Sequence, residues 1–243
     1  MSKFLSLILS PFFYIYFFLN LIVFHPFFVL SKFIFGEKGI DICTSLFNLS
    51  AMRSLLILGT KIKFNGFDKL PKKQPILFIS NHQSMWDIPA LMWKFRTYHL
   101  KFIVKKELAK YIPSVSYVVK YGGSVPIDRS DPKSAIEDIA SFSKKINQNS
   151  YSICIFPEGT RSKNGKLAPF KKSGIATILK EVPNILVVPI AIKNTGKIDN
   201  KGKFLKNIGV EVTYYQLPSR HINIEYLENE LNSIRSEIKK LVE

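Results

Sequence analysis

Apolar and polar positions follow two different rules along this chain, and the change comes near residue 60. Before it, Phe4 to Leu30 runs for 27 residues without a charge, and the first 36 residues carry only Lys3 and Lys32. As one helix that run would measure about 40 Å, against a hydrocarbon core of roughly 30 Å. Pro11 and Pro26 are expected to interrupt it, leaving about 21 Å of helix between them, so a kinked span, a re-entrant hairpin and an interfacial helix all fit. A basic start followed by an apolar run is also the pattern of a secretory leader, but no Ala precedes Ala51, so no A-x-A cleavage site can be drawn. A second apolar stretch, Ile42 to Gly59, is broken by Asn48 and Arg53. It reads as an amphipathic helix lying on a membrane or on the first segment. Residues 1–59 are therefore expected to form a membrane-anchoring pair of helices, the alternative being that both pack as core helices of a soluble domain.

From Lys61 onward, short apolar runs bounded by Pro, Gly, Asn and Lys alternate with helical stretches, which is the grammar of an α/β domain over residues 60–243. The runs predict strands at Lys61–Phe64, Pro75–Ile79, Lys101–Val104, Ser124–Ile127, Tyr151–Phe156, Ile185–Ile192 and Val210–Tyr215. Asp131 followed by Pro132 marks a helix start, with Ile136, Ile139, Ala140 and Ile146 turned to one side. The closing helix, Asn223 to Val242, spaces Ile224, Leu227, Leu231, Ile234, Ile238 and Leu241 by three and four. Packing on the domain is favoured over a coiled-coil seam. Residues 194–203 read as an exposed turn. The expected fold is α/β, a central mixed sheet flanked by helices behind the apolar N-terminal pair.

Charge narrows the partners. The chain has 243 residues and a formal net charge of +17. Residues 60–130 contribute 13 basic and 4 acidic side chains, and residues 141–210 contribute 13 and 3, so the excess lies in the body and not in a tail. Such a surface suits an anionic membrane, a phosphorylated ligand or nucleic acid. Ten of the 20 Phe residues lie in the first 36 positions and do not interleave with the Lys-rich body. With no groove-reading motif either, nucleic acid is not expected. Cys43 and Cys154 are too few for a disulfide framework and lack metal-ligand spacing, which suits a reducing compartment.

Four polar clusters carry candidate chemistry. Asn81-His82-Gln83-Ser84-Met85-Trp86-Asp87 closes the strand Pro75–Ile79. A turn there can bring the Asp87 carboxylate back to one imidazole nitrogen, leaving the other to take a proton: a general base and its orienter. The same two residues could instead cap a helix or pair structurally. Zinc would need a third ligand, which His25, His99 and His221 do not supply by spacing. Ser84 lacks the Gly-x-Ser-x-Gly surroundings of a nucleophile elbow. Phe156-Pro157-Glu158-Gly159-Thr160-Arg161-Ser162 follows the strand Tyr151–Phe156. Gly159 permits close backbone approach, Thr160 and Ser162 offer hydroxyls, and Arg161 presents a fork suited to phosphate, with Glu158 holding Arg161 or a ligand hydroxyl. A plain turn would read the same way. Gly123-Ser124-Val125-Pro126-Ile127-Asp128-Arg129 ends on an acid and a base that could be a surface ion pair. Val188-Pro189-Ile190 puts a proline in an apolar strand, which signifies an edge or a bulge.

Together and in this order, from about Lys61 to Asn194, the four blocks resemble the glycerophospholipid acyltransferase family, most closely its bacterial 1-acylglycerol-3-phosphate branch. Pro126 departs from the family pattern, which more often has Phe or another apolar residue there. The resemblance implies transfer of a fatty acyl group from an acyl carrier protein or coenzyme A thioester to the 2-hydroxyl of lysophosphatidic acid, giving phosphatidic acid. It implies His82 as base with Asp87, Arg161 and Arg129 on the phosphate, Glu158, Gly159 and Thr160 in the substrate-binding block, and Lys105 as a further phosphate candidate. No metal or cofactor is needed, because a thioester is already activated. Anionic lipids are the expected membrane partner, with the body facing the cytoplasm from the inner membrane. Glycerol 3-phosphate or another lyso-lipid is the alternative acceptor, and a non-catalytic basic membrane-surface or nucleic-acid-binding protein is the alternative of another class.

Overall fold

A computed structural model, describing residues 2–72, 74–162, 165–200 and 204–243, contains all seven expected strands within one residue of their expected limits. They are β1 (Lys61–Asn65), β2 (Ile76–Ser80), β3 (Leu100–Lys105), β4 (Val125–Ile127), β5 (Ser152–Ile155), β6 (Leu186–Lys193) and β7 (Glu211–Gln216). One mixed sheet orders them β1-β7-β6-β2-β5-β3-β4. Every neighbouring pair is parallel except β6 with β7. Strand β2 is buried throughout, as a central strand covered on both faces must be.

Period-two alternation sorts its side chains. Ile76 and Phe78 join a core with Trp86, Leu91, Phe102, Val188 and Ile190, under α1 (Ser2–Ile57), α2 (Asp87–Lys94) and α3 (Val115–Tyr121). Leu77 and Ile79 join the opposite core, under α4 (Pro132–Asn149), α5 (Ser173–Glu181) and α6 (Leu227–Val242). Helix α4 starts as expected, the Asp131 side chain accepting from Ser134 N at 3.1 Å with Pro132 next. Its buried stripe is Ala135, Ile139, Phe142 and Ile146, while Ile136 and Ala140 sit at its margin, a rotation of one position from the expected face. In α6, Leu227, Leu231, Ile234 and Ile238 are buried in the second core, so the stripe is spent within the fold. Each such side chain contributes about 1.5–3 kcal/mol on burial.

Two prolines resolve differently. Pro126 lies in β4, the sheet's edge strand, where a missing ladder donor costs nothing. Pro189 does not mark an edge or a bulge, because β6 is interior. It is accommodated because the antiparallel ladder to β7 ends at Ile190–Gln216, and beyond it Pro189 O accepts from Leu217 N at 3.0 Å.

The N-terminal segment corrects a second expectation. Neither Pro11 nor Pro26 ends the helix: α1 runs through both, and the break falls at Gly36, with φ 59° and ψ −138°. The chain reverses there into a second arm, 37–57. A Cβ at Gly39 would collide with the Ser31 carbonyl, so this tight corner requires glycine. The arms pack through Leu21, Phe28, Ile40, Cys43 and Phe47. Their outer surface leaves Phe4, Phe12, Phe18, Ile22, Phe27, Phe33 and Ile42 more than half exposed. By length and composition α1 suffices to cross a membrane. On its inner side Phe13 and Phe17 close edge-on against Trp86 at 5.3 and 5.2 Å, one residue from Asp87.

Candidate active site

Strands β6, β2, β5, β3 and β4 are mutually parallel, so their C-terminal ends share one edge of the sheet. Three of the four sequence blocks leave the sheet at that edge, after β2, β4 and β5, where open α/β sheets hold their ligands, while Val188–Ile190 lies within β6. Asn81 bridges the mouth between β2 and β6: its Nδ2 donates to Ile192 O at 2.8 Å and its Oδ1 accepts from Ile192 N at 2.7 Å. This paired contact extends the ladder by one rung and fixes where the next residue, His82, emerges.

The chain then turns tightly into α2, whose first residue is Asp87. The carboxylate is fully buried and reaches back over that turn. Its Oδ2 lies 2.7 Å from His82 Nδ1 and accepts from Gln83 N at 2.7 Å and Ser84 N at 3.0 Å. Its Oδ1 accepts from the Thr195 hydroxyl. A carboxylate surrounded by donors is an acceptor only, so Nδ1 carries the hydrogen and the imidazole lone pair is on Nε2. Among the described residues nothing hydrogen-bonds to Nε2. The ring stacks on Phe156 with centroids 4.1 Å apart and planes 12° apart, which fixes its tilt, and its side chain keeps 11% exposure.

The Phe156–Ser162 loop is tied to the same turn. Glu158 Oε1 accepts from His82 N at 2.7 Å and Oε2 from Ala168 N at 3.0 Å, while Ser162 N donates to His82 O at 2.8 Å. Each Glu158 oxygen thus accepts from one backbone amide, and among the described residues the carboxylate is not paired with Arg161. Burial pushes this carboxyl above its ordinary value, partly offset by the two amides. Gly159 has φ 70°, and a Cβ there would stand 3.3 Å from Lys171 Nζ. Its carbonyl accepts from Arg129 Nη1 at 2.8 Å. Partial desolvation and the like charge of Arg161 lower the Arg129 guanidinium from its usual value. Arg129 and Lys171 thus lie against the loop that carries Arg161, and Glu107 acts on the Arg129 guanidinium from the turn after β3.

Not every candidate joins this group. Asp128 is held well below the usual carboxylate range by Lys106 and Ser130, so the pair at that strand end is Asp128–Lys106 and not Asp128–Arg129. Lys105 ends β3 on the same edge but faces Glu107 at 3.1 Å in an exposed ion pair of little energetic weight. Thr160 is exposed, its side chain free of hydrogen bonds among the described residues. Ser84 is committed to Asp199, its Oγ donating to Oδ2 at 2.7 Å.

Sequence reasoning missed Thr195, which is fully buried in a segment expected to be an exposed turn. It lies 108 positions from Asp87, and only the adjacency of β6 and β2 brings them together. It also gave Phe156, Asn81 and Lys171 no role. Chemically, the edge offers an oriented imidazole able to accept a proton and, beside it, a cluster of guanidinium and ammonium groups able to hold a phosphate dianion.

A family profile described as Acyltransferase matches residues 61–193. The 1-acyl-sn-glycerol-3-phosphate acyltransferase of Borreliella burgdorferi is 31% identical over 198 residues, 78% of this chain and 75% of that protein. The chloroplastic 1-acyl-sn-glycerol-3-phosphate acyltransferase BAT2 of Brassica napus is 37% identical over 139 residues, 57% of this chain, which spans only 39% of that longer protein. The crystal structure of the 1-acyl-sn-glycerophosphate (LPA) acyltransferase PlsC from Thermotoga maritima superposes with a TM-score of 0.80 at 24% identity, over 99% of this chain and 98% of that one, so the fold is shared from end to end.

Proposed function

The chain belongs to the acyltransferase family, and on that premise we propose that it transfers a fatty acyl group from an acyl thioester to the 2-hydroxyl of 1-acylglycerol 3-phosphate, giving phosphatidic acid. One observation carries the reading: the Asp87-oriented His82, whose Nε2 has no hydrogen-bond partner among the described residues, is tied through Glu158 and Ser162 to the loop against which Arg129 and Lys171 lie. The acceptor hydroxyl gives its proton to Nε2 as its oxygen attacks the thioester carbonyl. The charge of Asp87 stabilises the resulting imidazolium. Collapse of the tetrahedral intermediate forms the ester, breaks the carbon–sulfur bond and expels a thiolate, which takes the proton back from Nε2. The base ends as it began, and no side chain is acylated.

The cations hold the 3-phosphate and so set the hydroxyl beside His82. Residues 1–59 serve as the anchor and residues 60–243 as the catalytic domain. The apolar outer face of α1 enters the membrane, and its inner face, packed on Trp86, brings the site to the surface where a lysolipid resides. The basic body attracts anionic headgroups and an acidic carrier or coenzyme A donor, which favours the cytoplasmic face of the inner membrane.

The test is an assay of detergent-purified full-length protein, with lyso-acceptors differing in headgroup against acyl carrier protein and coenzyme A donors. Turnover of 1-acylglycerol 3-phosphate well above that of the corresponding lysolipid without a phosphomonoester supports the reading. Preference for the latter, or for glycerol 3-phosphate, contradicts it.

A further inference from the structure

We propose that Thr195 is the positioning residue of the dyad: its hydroxyl sets the plane of the Asp87 carboxylate, and a strap fastened to the N-terminal helix holds that hydroxyl in place. The proposal rests on the reading of His82 as base. Three donors converge on Asp87 Oδ2, and three contacts to one oxygen fix a point but leave the flat group free to turn about it. Thr195 Oγ1 is the one donor to Oδ1 among the described residues, and it fixes the second oxygen. Neither residue has any exposure, so water cannot substitute.

Thr195 is delivered by the chain that follows β6. Asn194 takes a left-handed conformation, φ 72°, and turns the strand exit inward; a single turn then forms through Ile198 N to Thr195 O at 3.1 Å, with Ile198 fully buried. One residue on, Asp199 accepts from Ser84 Oγ at 2.7 Å and from Lys206 Nζ at 2.5 Å. Lys206 in turn grips the first arm of α1: its N donates to Ser10 Oγ at 2.9 Å and its O accepts from Ser6 Oγ at 2.5 Å. Phe204 stacks on Tyr14 at 4.8 Å, and Gly209 N donates to Leu58 O at 2.8 Å. Residues 194–200 and 204–209 therefore link the helix that bears the apolar face to both sides of the Asp87 turn, through Thr195 and through Ser84. The seating of the helix is thereby communicated to the base.

The experiment uses the full-length chain in lipid vesicles, with Thr195→Val, Thr195→Ser and Lys206→Met. It reads kcat and acceptor KM separately, and the His82 Nδ1–H proton resonance by NMR of ring-labelled histidine. Thr195→Val is expected to lower kcat by about tenfold to a hundredfold, the loss of one hydrogen bond to a buried charge, with acceptor KM within about twofold. Thr195→Ser should restore kcat to within about threefold of the parent. Lys206→Met, which leaves Thr195 intact, should lower kcat by about threefold. The Nδ1–H tautomer, set by Oδ2, should be retained in Thr195→Val, while the Nδ1–H proton resonance should move upfield as the carboxylate turns out of line with the ring. Parent-like kcat and Nδ1–H resonance in folded Thr195→Val, or in Lys206→Met should the Val variant not fold, would overturn the proposal. A parent inert on 1-acylglycerol 3-phosphate, with the resonance still moved by Thr195→Val, would refute the substrate reading and support the role of Thr195.

Discussion

Replacing Asp87 by Asn removes a negative charge while keeping the side chain's shape, and the structure says what must follow. Gln83 N and Ser84 N both point at Oδ2 from 2.7 and 3.0 Å, so a flipped amide would set its NH2 against two donors. The Asn oxygen is therefore pinned where Oδ2 stands, still accepting from His82 Nδ1, and its NH2 faces the Thr195 oxygen, which can accept. The tautomer survives and the charge does not. A carboxylate and an imidazolium about 4 Å apart interact by about 4 kcal/mol at an effective dielectric of 20. The proton is only part-transferred in the transition state, and the three other donors already draw on the carboxylate's charge, so roughly half of that is realised. About 2 kcal/mol corresponds to a loss in kcat of roughly 30-fold. The assay is kcat at saturating 1-acylglycerol 3-phosphate and thioester, on variant protein whose melting temperature shows that it is folded. A loss under threefold would mean that the charge is not used. A loss as large as that of deleting the imidazole would mean that the amide has flipped, and would refute the pinning argument.

The cationic edge makes a binding prediction: Arg161→Ala should raise the acceptor KM by about tenfold or more, the worth of a charge-assisted contact, and leave thioester KM unchanged; equal KM values would count against phosphate contact. Glu158→Gln leaves one backbone N–H facing an NH2 group, at a cost of about 1–3 kcal/mol, so the melting temperature should fall by several degrees, and an unchanged value would show that the two amide contacts do not matter. Arg220 grips Glu237 through two bonds of 2.8 and 2.6 Å, fastening α6 to the strand-like pairing of Arg220 with Val187, and holds that carboxyl below its ordinary 4.5. A depressed folded value means stability that is present above about pH 4.5 and lost as pH falls through the folded value. Glu237→Gln should therefore lower the melting temperature by about 2–4 °C at neutral pH and by progressively less as pH falls below about 4.5, whereas an unchanging gap would deny the linkage.

The sheet was legible because its strands are short apolar runs bounded by residues that strands avoid, so Ile76–Ser80 and Leu186–Lys193 announce themselves locally. The helix start at Asp131–Pro132 was legible for the same reason, since a cap is a contact three residues long. What was not legible depends on partners far away in the chain. Pro11 and Pro26 read as breaks because interior prolines cost a ladder bond, yet the packing of Phe13 and Phe28 carries the helix on, and Gly36 turns it. Pro189 read as an edge, because nothing local reveals that β7 pairs with β6 only from Ile190 onward. The two amide partners of Glu158, at His82 and Ala168, were not legible either, because they are visible only once β5 lies beside β2. Thr195 had no signal at all: a polar residue after Asn in a loop carries no mark of what it will meet.

The central claim is that a single imidazole nitrogen, held by Asp87, takes the proton of the acceptor alcohol. Its most direct measurement is the turnover of His82→Ala in lipid vesicles with saturating 1-acylglycerol 3-phosphate and acyl thioester, beside the parent at equal membrane-bound concentration. A drop of about 10² to 10⁴, with folding and vesicle binding retained, is the predicted result. Turnover within a few-fold of the parent would contradict the account.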